Sequence, residues 1–175
     1  DRPIRNLRDI QGMKIRVQES NLMADIVKYL GGEPVKQAYS EVYSLLEKGE
    51  VQGAENNWSS YETMQHYEVA KYYTLDEHIR IPEIQLCSKH TWEKLSEEDQ
   101  RIIMECAKES AIYQRKLWIE QEKESEKQAI AGGAKVIYLP VIEKMKFQEA
   151  VEPLYEKYCK NSMDLIEQII NTETK

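Results

Sequence analysis

The sequence predicts an α/β fold, a small mixed sheet with flanking helices, and three observations lead to it. Short apolar runs of strand length alternate with helical periodicity three times within about 60 residues. A long helical stretch follows, bounded by Ser96 and by Gly132-Gly133. Hydrophobic residues make up 41% of the 175, enough to fill the core of one medium domain or of part of a larger two-lobed one.

The elements follow in order. Lys14-Ile15-Arg16-Val17, after Gly12, alternates as a strand. A helix after Asn21 places Leu22, Ile26 and Leu30 on one face and ends at Gly31-Gly32. Residues 34–38 form a second strand, and Ser40 is expected to cap a helix that buries Val42, Leu45 and Leu46 before Gly49 closes it. Residues 51–54 are the third strand, with a helical region over 59–70. Extended segments are expected at 72–75 and 84–88, separated by residues 76–83, which hold His78 and Pro82. Ser96 with Asp99 three residues later starts a helix over Glu97–Ala131, with Ile103, Cys106, Ala107, Ser110, Tyr113 and Leu117 on one face. At 1.5 Å per residue it is roughly 50 Å long, longer than a small lobe is wide, so it is expected to brace two bodies. A strand at 135–139, a helix from Pro140 to about Cys159 and a last helix near Met163–Ile170 complete the chain.

The net charge of −7 and pI near 5.2 argue against nucleic-acid or anionic-membrane partners, which need clustered Lys and Arg. A single buried Arg can still favour an anion locally, because a desolvated pair is weakly screened. No apolar run reaches the length of a membrane span, and no signal-peptide pattern opens the chain. The opening "DRPIRNLRDIQGMKIRV" reads as the middle of something longer, so the missing signals carry no information. Cys87, Cys106 and Cys159 form no CxxC pair and no zinc-ligand spacing, and they read as inert thiols.

His66, His78 and His90 are the only histidines, and none sits in a nucleophile or metal-protease motif. Acidic stretches such as "EQEKESEKQ" read as a solvated helix face. Arg16 stands apart because it lies inside an apolar strand. It is either a strand Arg paired with a surface acid or a guanidinium fork offered to a carboxylate. Asn56 and Asn57 are turn formers or amides that both donate to and accept from a polar ligand. Trp58, Tyr39 and Tyr43 divide between core packing and cleft lining.

Taken together, "IQGMKIRV", "AYSEVYSLLEKGEVQGAENN" and "HYEVAKYYTLDEH" resemble the solute-binding proteins of tripartite ATP-independent periplasmic (TRAP) transporters. The family's order is a strand ending K-[IL]-R-V, a [FY]-S-E-V-Y helix start, a G-x-V-D-G-x-E-N turn and a helix leading to T-x-x-H. The similarity continues through "LSEEDQRIIMECAKESAIYQRKLW". It implies two α/β lobes of the periplasmic-binding-protein type, a cleft between them and a helix spanning both.

On this resemblance Arg16 matches the arginine that holds the ligand carboxylate, Asn56 the amide of the E-N turn and Tyr39 the pocket aromatic, with His78 at the hinge-side histidine position. The usual D-G is Gln52-Gly53 here, and E-N-P becomes Glu55-Asn56-Asn57 followed by Trp58. That variant looks similar to a branch binding sugar acids such as hexuronates, where a second amide and an indole would suit a polyhydroxylated acid better than a bare dicarboxylate.

Residues 1–82 would then be the second lobe, and 83–175 the crossover, long bracing helix and C-terminal elements, with the N-terminal lobe absent. The implied role is extracytoplasmic capture of an organic acid, dicarboxylate or hexuronate. Delivery is to a membrane permease, from the periplasm or a lipid-anchored site, with no cofactor and no bond chemistry. Two rival readings remain: an α/β enzyme acting on such an acid with His78 as base, and a helical interaction module built on residues 97–131.

Overall fold

The computed structural model describes residues 2–172. Five short strands and ten helices alternate along them. In order they are α1 (Leu7–Ile10), β1 (Lys14–Val17), α2 (Asn21–Tyr29), β2 (Glu33–Lys36), α3 (Val42–Glu47), β3 (Gly53–Ala54), α4 (Trp58–Thr63), α5 (His66–Val69) and β4 (Tyr72–Leu75). Then come α6 (Lys89–Trp92), α7 (Glu97–Ala131), β5 (Lys135–Tyr138), α8 (Val141–Val151), α9 (Pro153–Cys159) and α10 (Met163–Ile170).

The strands form two sheets, one in the order β2-β1-β3 and one pairing β4 with β5. Every pairing is parallel, so the expected mixed sheet is instead two small parallel ones. The reason lies in the connections: each passes through at least one helix, and such a crossover returns the chain in the same direction.

Two apolar clusters hold the sheets. Ile15 and Val17 of β1 join Met23, Ile26 and Val27 of α2, with Ile137, Leu139, Phe147 and Leu154 covering them from the far end of the chain. Trp58, Tyr61, Ala129 and Ala134 form the second cluster, packed by Tyr67, Tyr73, Leu75 and Val136. The strand period of two explains the division, since Tyr72 faces the first cluster and its neighbour Tyr73 the second. α9 is also tied to α2 through Asp25, whose Oδ2 accepts from Lys157 Nζ at 2.5 Å and from the Tyr158 hydroxyl at 2.6 Å.

Several boundaries move for local reasons. Ser40 caps nothing; it lies in a 3-10 turn over Tyr39–Glu41 that runs into α3. The helical region expected over 59–70 is broken in two by Gln65, a non-glycine residue at φ 55°. The third strand shrinks to Gly53–Ala54, and the helix after Pro140 restarts at Pro153, which suits a first helical position because its missing N–H is not needed there. Residues 84–88 form no strand.

The long helix spans Glu97–Ala131, as its caps predict. Ser96 Oγ accepts the Asp99 amide at 3.1 Å, and at the other end Gly133 adopts φ 104°. Gly132 has no room for a side chain, because a Cβ there would stand 2.5 Å from the Tyr67 ring. The face expected to be buried is not. Ile103, Cys106, Tyr113 and Leu117 are exposed, whereas Ser125 and Ala129 are fully buried against α4. Among the described residues, only the C-terminal part of α7 has a body to pack on.

Candidate functional site

Strand alternation sends Ile15 and Val17 into the core beneath α2, so Arg16 between them leaves on the opposite side. It is only 4% exposed. Its Nε and Nη2 donate to the Gln37 carbonyl at 3.0 and 2.8 Å, and Gln37 is itself anchored by donating its N–H to the Val17 carbonyl. Arg16 makes no salt bridge with the described residues. Burial lowers its pKa, opposed by the charge of Glu55 and by Tyr39. An Arg nevertheless stays cationic in a protein, so a buried positive charge stands at the carboxyl end of a central parallel strand.

Glu55 and Asn56 follow β3, which pairs with β1 so that Arg16 lies opposite Ala54. Burial raises the pKa of Glu55, opposed by the charges of His78 and Arg16. His78 enters from the segment after β4, with its Nδ1 2.9 Å from Asp76 Oδ1. Burial pulls the His78 pKa down, but the Asp76 hydrogen bond and the charges of Asp76 and Glu55 outweigh it and the net direction is upward. Glu55 thus feels the opposing charges of Arg16 and His78, and His78 is hydrogen-bonded to Asp76, so acidic and basic groups offset one another in a poorly solvated place.

Asn56 is half-buried. Its carbonyl accepts the Tyr73 hydroxyl at 2.8 Å and its Oδ1 accepts the Asn57 amide at 3.0 Å. Glu55, Asn56, Tyr73, Asp76 and His78 border two spaces, a cavity of about 150 Å³ and a cleft of about 890 Å³ that Arg115 and Trp118 of α7 close on the far side. Arg16 and Tyr39 lie outside both walls and adjoin the group through Glu55 and His66.

Four of the six expected residues thus gather in one neighbourhood: Arg16, Tyr39, Asn56 and His78. The other two have different work. Asn57 is exposed at the rim of the cleft, and its Oδ1 accepts the Ser60 amide at 2.8 Å, which makes it the N-cap of α4. Trp58 is buried and borders neither space; its ring stacks on Tyr73 at 3.7 Å between centroids and meets Tyr61 edge-on. Of the two roles open to each, the turn-forming amide and the core aromatic are the ones observed.

Sequence reasoning missed two contributors. Asp76 is recoverable from its spacing, two residues before His78 on an extended segment. His66 carried no signal, because the turn at Gln65 that points it inward breaks an otherwise helical pattern.

A family profile described as DctP, bacterial extracellular solute-binding protein, family 7, matches residues 1–161. The chain belongs to the DctP family. A DctP relative, a solute-binding protein of Chromohalobacter salexigens, is 38% identical over 165 residues, covering 94% of this chain and 48% of its own length. The TRAP periplasmic solute binding protein of Bradyrhizobium sp. BTAi1, solved in complex with galacturonate, superposes with a TM-score of 0.89 at 40% identity, over 98% of this chain and 57% of that one. The corresponding protein of Pseudomonas putida F1, with bound D-glucuronate, gives 0.92 at 35% identity, over 99% of this chain and 56% of that one. This DctP chain spans about half the length of the curated relatives it matches. The likeness covers every element that builds the Arg16, Asn56 and His78 neighbourhood.

Proposed function

We propose that this chain is the second lobe and bracing part of an extracytoplasmic solute-binding protein that captures a sugar acid of the hexuronate class. The observation that carries the reading is Arg16: a buried guanidinium, bound only to a backbone carbonyl, with N–H donors left over beside the Asn56 turn. A carboxylate supplied by a ligand would complete it, and bidentate geometry suits that pairing. The uronates bound to the Bradyrhizobium and Pseudomonas proteins support the choice of ligand class.

In this reading the acid enters between two lobes, its carboxylate meets Arg16, and Asn56, Tyr39 and His78 complete the contact. Closure about residues 76–83 follows from contacts made only in the closed form. The loaded protein then delivers its ligand to a TRAP membrane permease, working in the periplasm or from a lipid anchor. Residues 2–75 with 135–159 form the lobe body. The outer part of α7 and the segment over 79–88 brace a further lobe belonging to the longer protein.

The test is ligand-dependent thermal stabilisation of the full-length protein. At saturating D-glucuronate, about 100 times Kd, binding adds about 2.7 kcal/mol of stability, a clear rise in Tm. Arg16→Ala removes that rise. An equal rise in the variant overturns the assignment.

A further inference from the structure

Among the described residues, His66 Nε2 is the one fully buried side-chain polar atom without a hydrogen-bond partner. The residue is only 2% exposed. The left-handed turn at Gln65 starts α5 at His66 and aims the ring inward. There it meets the Tyr39 ring edge-on, with centroids 6.3 Å apart, and borders the same cavity as Glu55, Asn56 and His78. Burial and the charge of Arg16 lower its pKa, so the ring is neutral near pH 7 and carries one donor and one acceptor nitrogen.

An orphaned buried nitrogen is unfavourable unless something completes it. We infer that His66 is a specificity residue of the ligand site, its Nε2 taking a hydrogen bond with a hydroxyl of a polyhydroxylated acid whose carboxylate lies at Arg16. The inference rests on the acid-binding reading above. A hydroxyl both donates and accepts, so it satisfies either tautomer of the imidazole. An acid without hydroxyls leaves Nε2 unpaired, and sites built this way discriminate strongly against the analogue lacking the group. His66 therefore selects by the hydroxyl pattern, while Arg16 selects by the carboxylate.

The experiment is calorimetric titration of full-length wild type, His66→Phe and His66→Gln with D-glucuronate and its monodeoxy analogues. The expected result is a loss of D-glucuronate affinity of at least about tenfold in His66→Phe, largely restored in His66→Gln. One monodeoxy analogue should bind wild type and His66→Phe alike, because variant and analogue remove the same bond. Equal D-glucuronate affinity in wild type and His66→Phe, or the same loss for every analogue, overturns the proposal and leaves the acid-binding reading standing. If wild type binds no uronate at all, that reading fails and this proposal with it. Should His66→Phe fail to fold, ¹⁵N-histidine-labelled wild type decides: D-glucuronate shifts the His66 Nε2 resonance if the bond forms, and an unmoved resonance overturns it.

Discussion

The two ends of α7 are one continuous helix in opposite situations. Toward its C-terminus Ser125 and Ala129 are fully buried against α4, the Ser59 amide donates to Glu122, and Ser125 donates to Glu62. Toward its N-terminus Ile103, Ile112 and Tyr113 are exposed, and nearby Leu86 is 84% exposed. Small side chains, one polar and one apolar, are buried at one end and large apolar ones are bare at the other. Side-chain polarity therefore did not decide burial here; the presence of a facing body did. Exposed apolar area on this scale is the mark of a surface built to be covered.

Substitutions sharpen the contrast, and the largest effect belongs to the packed end. Ala129→Asp places an unpaired charge in the second cluster and should cost about 3 kcal/mol or more in urea unfolding. Ile112→Asp, on the same helix, should shift this chain by no more than about 0.5 kcal/mol. Equal costs would break the comparison. If a further lobe covers that face, as proposed above, the Ile112 variant becomes expensive in its presence.

Core truncation gives the next contrast. Met23→Ala should lose about 2–5 kcal/mol by leaving a cavity under β1, and Leu86→Ala should lose almost nothing in this chain. Caps follow, at about 1 kcal/mol each. Ser20→Ala removes the acceptor of the Met23 amide and should lower global stability, because α2 is part of the core. Ser96→Ala removes the corresponding cap of α7, yet its effect should be confined to faster hydrogen exchange near Asp99, since that end unfolds without disturbing the core.

The smallest effects are those of pH. His66 has a folded pKa below its unfolded value of about 6.5, so its contribution is full above that value and is lost as pH falls through the folded pKa. On acidification from about pH 7 to 5.5, wild type should lose stability that His66→Phe keeps, as read by paired thermal melts. Asp25 is held at about 2 by its hydrogen bonds from Lys157 and Tyr158. Its contribution is present above the unfolded pKa of about 3.9 and fades as pH falls toward about 2, where α9 should loosen from α2 before β1 exchanges.

Much of the candidate neighbourhood was legible from local pattern. An Arg inside an apolar strand is visible in four letters, Lys14 to Val17, and the strand alternation that buries Ile15 and Val17 turns it away from them. The amides after a short strand were visible too, but not their roles. Asn57 carries an N-cap signal just before a helix, and competition between capping and ligand contact is decided by the backbone angle at the strand end. Trp58 packs on Tyr73 because β4 passes beside α4, a pairing between residues far apart in the chain. His66 shows the same dependence, since its environment is assembled from β1, the Tyr39 turn and α5.

The sequence by itself determined the helices with strong caps, the strand carrying Arg16 and the family to which the chain belongs. Those depend on short-range sterics, on hydrogen bonds within a turn or two, and on ordered motifs. Tertiary structure alone decided that the sheets are parallel and separate, that residues 84–88 stay unpaired, and which face of α7 is buried. A strand needs a neighbour for its hydrogen bonds and an apolar face needs a body to cover it, and neither partner is encoded in the segment that requires it.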